Sequence, residues 1–169
     1  MWAAPIQGSA LNMRGVQRGR APLHLRSLTL LEIGFRATGP TKTATPYLTR
    51  LFSGGWPRTA DWPAKNVHTD EEFAKATGLS GRNASGAMMQ GYLAELMVDM
   101  FGEGWLSGGT FSLKFVHQVG MGDSVTAEAT VTAVRREGEA IEVELDVSCK
   151  NQHAQTVTVG SATGIIDAG

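Results

Sequence analysis

The chain has 169 residues, of which 42% are hydrophobic and 18% are charged, and its formal net charge is −1. These values fit one globular domain with its own core, exclude global disorder, and give no support to a nucleic-acid or anionic-membrane partner. No apolar run approaches the ~20 residues that span a bilayer, and the single cysteine, Cys149, excludes an internal disulfide framework and favours a cytoplasmic location.

The first 31 residues differ from the rest because they contain no acidic side chain but four arginines. An Arg-rich, acid-poor start is typical of a transit peptide. A disordered tail, or a true start nearer Met13, is favoured here because Pro and Gly interrupt any amphipathic helix. We therefore interpret residues 1–24 as a flexible N-terminal tail and residues 25–169 as a single domain.

Two short helices are predicted in the first half of the domain. Thr45 suits the N-cap of a helix over Pro46–Phe52, with proline at its first position. Thr69 and Glu72 have the spacing of a capping box and predict a second helix of about two turns. Gly78 is a natural residue to end it.

A longer helix is predicted to begin after Asn83 or Ser85 and to end near Phe101, before Gly102. Its apolar side chains recur at spacings of three and four, at Met89, Leu93, Leu96, Met97 and Met100. Because apolar side chains cover most of its circumference, we expect this helix to be largely buried.

After Gly109 the hydrophobic period changes from helical to alternating, which is typical of antiparallel strands with one packed face. Four such rows are predicted, and turn residues at 122–123, 137–139 and 150–153 separate them. Their apolar members are Phe111, Leu113 and Phe115; Val125, Ala127, Ala129, Val131 and Ala133; Ile141, Val143, Leu145, Val147 and Cys149; Val157 and Val159. This pattern predicts an α+β domain in which an antiparallel sheet wraps around the long central helix.

The candidate functional residues lie just before the second and third helices. His68 can exchange a proton near neutral pH. Ser85 and Gly86 open the long helix, where backbone N–H groups can hold an oxyanion, and glycine permits close approach. Asn66 can hydrogen-bond His68 or a substrate, or form a turn, and the turn is favoured.

The order and spacing of several motifs resemble the MaoC-like dehydratase family, over roughly residues 28–166. The residues that carry the resemblance are Leu31-Glu32-Ile33-Gly34; Asn66-Val67-His68-Thr69-Asp70 with Glu72, Phe73 and Ala74; Gly78-Leu79; Ser85-Gly86; Gly91-Tyr92-Leu93; Lys114-Phe115; and Val119-Gly120-Met121-Gly122-Asp123. The resemblance implies a hotdog fold, a homodimer or higher assembly, and (R)-specific enoyl-CoA hydratase chemistry.

One part of the family pattern is missing. Relatives carry an aspartate five residues before the catalytic histidine, in a Gly-Asp-x-Asn-Pro-x-His run, but Pro63 stands five before His68. The nearest upstream carboxylate is Asp61, seven before, in a loop that is lengthened by several residues. Asp61 either reaches the same place by another route or has no catalytic role. Ser85 is a second departure, because many relatives have histidine there.

The resemblance predicts a hydratase or dehydratase of 2-enoyl-CoA and 3-hydroxyacyl-CoA thioesters. His68 would be the acid/base and Asp61 its partner, Gly86 N–H would stabilise the enolate, and Ser85 and Asn66 would contact substrate. No metal or redox cofactor is expected. The first alternative is a thioesterase on the same fold, with Glu95 or Asp99 activating water. The second is a non-catalytic subunit that binds acyl-CoA or supports an active partner.

Overall fold

A computed structural model describes residues 32–138 and 140–167. The predicted tail at residues 1–24, and the beginning of the predicted domain up to residue 31, lie outside the described residues. Within the described part of the chain, no helix combines the length and the apolarity that crossing a membrane requires.

The described strands form one antiparallel sheet of six. They are β1 (Arg36–Thr38), β2 (Lys42–Thr43), β3 (Thr110–Phe115), β4 (Ser124–Glu137), β5 (Ala140–Asn151) and β6 (Thr156–Asp167). Their order is β1-β4-β5-β6-β3, and β2 pairs with β4 beside β1. The four predicted strands are confirmed. β1 and β2 were not predicted, because two or three residues are too few to show alternation.

The central helix α3 (Gly86–Phe101) packs against the sheet strands β4, β5 and β6. Its buried side chains are Met88, Met89, Tyr92, Leu93, Leu96, Met97, Met100 and Phe101. Alternate residues of β5 are buried opposite them, from Ile141 to Cys149. The prediction of an α+β domain whose antiparallel sheet wraps a largely buried helix is therefore confirmed.

Helices α1 (Pro46–Ser53) and α2 (Glu71–Ala76) precede α3. The Thr45 side chain accepts a hydrogen bond from Leu48 N–H at 3.2 Å, so the predicted cap of α1 is confirmed. Gly78 follows α2 with φ of +89°, as expected of a residue that ends a helix.

The capping box predicted for α2 is wrong. The N-cap is Asp70, whose side chain accepts a hydrogen bond from Phe73 N–H at 2.8 Å. Thr69 belongs to the turn before the helix, because its hydroxyl donates to Ala64 O at 2.6 Å and accepts from Asn66 N–H at 3.1 Å. These bonds hold Thr69 outside the first helical turn, so the carboxylate that follows it takes the capping position.

Helix α4 (Glu103–Gly108) was not predicted, because the glycines after Phe101 indicated only the end of α3. Gly104 lies directly against the backbone carbonyl of Ile165 in β6, where any side chain would collide. Glycine is therefore required for the close packing of α4 on β6 rather than for ending a helix.

Candidate active site

Asn66 builds the turn that presents His68. Its Oδ1 accepts a hydrogen bond from the backbone N–H of His68 at 2.9 Å, and its Nδ2 donates to Ser53 O at 2.7 Å. The first bond spans two residues and is the side-chain turn expected of asparagine. The second ties this turn to the last residue of α1. The predicted turn at Asn66 is confirmed, and its side chain fixes the backbone of His68.

The ring of His68 is oriented by the segment that leads into α3. Its Nδ1 lies 2.9 Å from Asn83 O and 3.1 Å from Asn83 Oδ1. A backbone carbonyl can only accept a hydrogen bond, so Nδ1 carries the proton and donates it. In the neutral ring, Nε2 then has the lone pair and can accept a proton.

Helix α2 holds Asn83 in this position. The Glu71 carboxylate accepts the backbone N–H of Arg82 at 3.1 Å and contacts the Arg82 and Lys75 side chains. The hydrogen bond from Arg82 N–H, followed by that from Lys75, lowers the pKa of Glu71. At neutral pH a charged Glu71 therefore anchors Arg82, and Arg82 directly precedes Asn83, the hydrogen-bond partner of His68.

The start of α3 offers a free backbone donor at Gly86. Ser85 is the N-cap, and the N–H of Gly86 has no hydrogen-bond partner among the described residues. A Cβ atom on Gly86 would lie 2.8 Å from the ring of Phe115. The Ser85 hydroxyl is buried and also has no partner among the described residues.

His68 and Gly86 line one cavity of about 260 Å³. The described residues around it are His68, Asn83, Ala84, Gly86, Met89, Phe115, Val116, His117, Gln118, Val119, Val157 and Thr158. These lining residues include two histidines and no aspartate or glutamate. The structure thus brings together the histidine and the glycine that the sequence analysis selected.

His117 is a cavity residue that the sequence analysis did not select. Its Nδ1 lies 2.9 Å from Thr156 O, on the neighbouring strand β6. The segment after β3 reaches the start of α3 because Ala84 N–H donates to Val119 O at 2.8 Å. This contact joins parts of the chain that are distant in sequence, so no local pattern could have indicated it.

Three of the predicted site residues do not line the cavity: Asp61, Asn66 and Ser85. Asp61 is exposed, and no hydrogen bond or ion pair joins it to another described residue. The lengthened loop closes on itself, because Ala64 N–H donates to Gly54 O at 2.8 Å. Asp61 lies within this closed loop, and its predicted partnership with His68 stays a prediction.

Cys149 is confirmed as a buried core residue. Its thiol is fully buried, and burial raises its pKa to about 12. The thiolate, which is the nucleophilic form, is therefore scarce at neutral pH. Two carboxylates considered for the thioesterase alternative, Glu95 and Asp99, do not line the cavity, and Glu95 pairs with Lys42 at 2.8 Å.

The family described as MaoC like domain matches residues 59–153, which is more than half of the chain. No curated protein matches this chain. Among solved structures, a MaoC-like dehydratase from Rhodospirillum rubrum is 21% identical, with a TM-score of 0.67 over 83% of this chain and 95% of that one.

Two further structures show the same fold. The (R)-hydratase from A. caviae involved in PHA biosynthesis is 24% identical, with a TM-score of 0.57 over 80% of this chain and 96% of its own. A Mycobacterium tuberculosis protein with a double hotdog fold is 13% identical, with a TM-score of 0.62 over 82% of this chain and 43% of its own. At these identities the likeness establishes the hotdog fold, as predicted.

Proposed function

The chain belongs to the MaoC-like domain family, and on that premise we propose that it adds water to 2-enoyl thioesters or removes it from 3-hydroxyacyl thioesters, with coenzyme A as the carrier. The observation that carries this proposal is the shared cavity of His68 and Gly86. One residue can move a proton, and the other offers a backbone N–H that has no partner in the described part of the chain.

His68 is the proposed base that activates water. Because Nδ1 donates to Asn83 O, the remaining nitrogen Nε2 takes a proton from water as its oxygen attacks C3 of the enoyl group. The Asn66 and Asn83 bonds fix both the backbone and the ring, so the base is held in place before substrate arrives.

Gly86 is the proposed holder of the enolate oxygen. Attack at C3 moves an electron pair onto the thioester carbonyl oxygen, and a free N–H at a helix start stabilises that negative charge. The missing side chain lets the carbonyl approach the backbone closely. Proton transfer and charge stabilisation are sufficient for this addition, so we propose that it uses no metal or redox cofactor.

We further propose that the active form is a homodimer in which the sheet of one copy continues into the sheet of the next. Among the described strands, β3 lies at one edge of the sheet and pairs only with β6. Its last residue, Phe115, lines the cavity, so the proposed interface runs beside the proposed site.

A second candidate is a non-catalytic subunit that binds an acyl thioester. It is favoured by one observation, the absence of a carboxylate among the described residues that line the cavity. The two candidates share the binding site and differ only in turnover, so kinetics separate them.

The test is hydration of crotonyl-CoA by the purified full chain, followed as loss of enoyl absorbance and paired with a free-thiol assay. We expect hydration without thiol release, and a loss of 10²-fold or more in kcat for His68→Asn. Asparagine retains a donor for Asn83 O, which spares the local fold. The matched control is His153→Ala in the exposed β5–β6 turn, which should keep wild-type turnover.

Turnover of folded His68→Asn near the wild-type rate would contradict the mechanism. Binding of acyl-CoA by the wild type without any turnover would favour the non-catalytic candidate, and thiol release would favour a thioesterase.

A further inference from the structure

The candidate cavity contains a second imidazole, that of His117. His117 follows β3 by two residues, and its side chain is exposed to solvent on the cavity side of the molecule. It is therefore within reach of a molecule that enters the cavity, although the proposed function so far gives it no role.

The ring of His117 is oriented in the same way as that of His68, by a hydrogen bond from Nδ1 to a backbone carbonyl. Its Nδ1 lies 2.9 Å from Thr156 O, and a carbonyl oxygen can only accept, so Nδ1 donates its proton to β6. Its Nε2 has no hydrogen-bond partner among the described residues. Both imidazoles thus have one nitrogen held by backbone and the other available for proton transfer.

Hydration of an enoyl thioester needs two proton transfers, one from water and one to C2. In the family pattern a carboxylate accompanies the histidine, but Pro63 stands at that position and no described carboxylate lines the cavity. An imidazole gives and takes protons near neutral pH in its ordinary state, so a second histidine can supply the missing transfer.

We infer that His117 is the second catalytic proton-transfer residue and delivers the proton to C2; this inference rests on the proposed hydratase function. Water loses a proton to Nε2 of His68, and its oxygen forms the bond to C3. The resulting enolate, held at Gly86 N–H, takes the proton on Nε2 of a charged His117 to form the C2–H bond.

Proton exchange with solvent returns both histidines to their starting protonation states. After the addition His68 carries the extra proton and His117 is neutral, and exchange with water restores the starting states. In the reverse direction neutral His117 removes the C2 proton, and charged His68 protonates the departing hydroxyl group.

The first measurement is steady-state hydration of crotonyl-CoA by wild type, His117→Asn and the surface control His153→Ala. Asparagine can still donate to Thr156 O and so preserves the loop after β3. We expect kcat to fall 10²-fold or more in His117→Asn, since general acid–base groups supply about 10²–10⁴-fold, and to stay unchanged in His153→Ala.

The second measurement isolates the step at C2. Butyryl-CoA has no 3-hydroxyl group and cannot lose water, so deuterium uptake at its C2 position in D₂O requires only a base at C2 and the enolate site. We expect uptake with wild type and His68→Asn, and its loss in His117→Asn. A merely structural role for His117 would reduce both reactions in parallel with thermal stability.

The outcomes separate this inference from the proposed function. A wild type that hydrates crotonyl-CoA while folded His117→Asn retains its kcat or its C2 exchange overturns the role of His117 and leaves the hydratase proposal standing. A wild type that hydrates no enoyl thioester overturns the hydratase proposal itself.

Discussion

His68 is positioned by neighbours on both sides of the chain. Asn66 fixes its backbone, and Asn83, which leads into α3, fixes its ring. Two asparagines therefore perform the orienting work that a carboxylate performs in many histidine-based sites. A neutral carbonyl partner orients the ring and selects its tautomer without placing a negative charge beside it.

Asp61 illustrates how far a single position can be predicted from sequence. It stands seven residues before His68 instead of the five of the family pattern, and the lengthened loop that contains it closes on itself between Gly54 and Ala64. The partnership of Asp61 with His68 therefore stays a prediction, because loop closure alone does not give the position of the carboxylate relative to the histidine. Spacing along the chain predicts the place of a residue in a site only where the segment between has the length that the family pattern assumes.

We expect Asp61→Asn to leave kcat for crotonyl-CoA hydration within about twofold of wild type. Asp61 is exposed and does not line the cavity, whereas a general base must come within hydrogen-bond reach of the proton it moves. Steady-state kinetics beside His68→Asn provide the measurement. A loss above tenfold, at unchanged melting temperature, would instead establish Asp61 as the predicted partner of His68.

At the scale of elements, the central helix joins the fold to the site. Its interior residues pack against the sheet, while its first residue, Gly86, lines the cavity and has a backbone N–H without a partner among the described residues. Phe115 at the end of β3 covers Gly86, and this residue is 52% exposed, so the ring has room to move. Substitution at Gly86 should therefore alter the site before it alters the fold.

We expect Gly86→Ala to fold normally but to lower kcat/KM at least tenfold. The new methyl group would lie 2.8 Å from the Phe115 ring, so that the ring must shift, and the methyl group itself would occupy space that glycine leaves open to the thioester carbonyl. Alanine is also a better helix residue than glycine, so stability should not fall. The assay is crotonyl-CoA hydration, with thermal unfolding as the check on folding.

Gly91→Ala is the matched control on the same helix. Its methyl group would lie 3.3 Å from the Phe52 ring, outside the residues that line the cavity. Unchanged kinetics in Gly86→Ala, or an equal loss in Gly91→Ala, would count against the proposed enolate site.

Elements with strong local signals were predictable. The cap at Thr45 and the apolar spacing in α3 can each be recognised within a short stretch of sequence, and both were confirmed. The predicted N-cap of α2, Thr69, was wrong by one residue. Thr69 is hydrogen-bonded to Ala64 and Asn66 instead, and a capping pattern does not include those contacts.

The second histidine of the cavity could not be found by the same route. His117 reaches the start of α3 only because β3 pairs with β6 and because Ala84 bonds to Val119. Both contacts are long-range, so they depend on the finished sheet rather than on any local period. His68 and Gly86 were selected from the sequence, and the tertiary structure added His117 as a third candidate site residue.

At the scale of the whole molecule, the edge of β3 that has no neighbour among the described strands is the feature that favours a partner. An edge strand exposes backbone donors and acceptors, and natural proteins cover or protect such edges. β3 has six residues, against three in β1 at the opposite edge, and its last residue, Phe115, and the following Val116 are 52% and 46% exposed. Length and exposed apolar surface both favour pairing at β3.

We therefore expect the purified chain to form a dimer of twice the 18.0 kDa chain mass in multi-angle light scattering. In a dimer built through β3, every amide of residues 110–115 is either paired with β6 or paired across the interface. Hydrogen exchange along β3 should then be as slow as in β5, which has a neighbour on each side. A monomeric mass, or alternate fast-exchanging amides along β3, would contradict the continuous sheet, because a free edge leaves every second amide open to water.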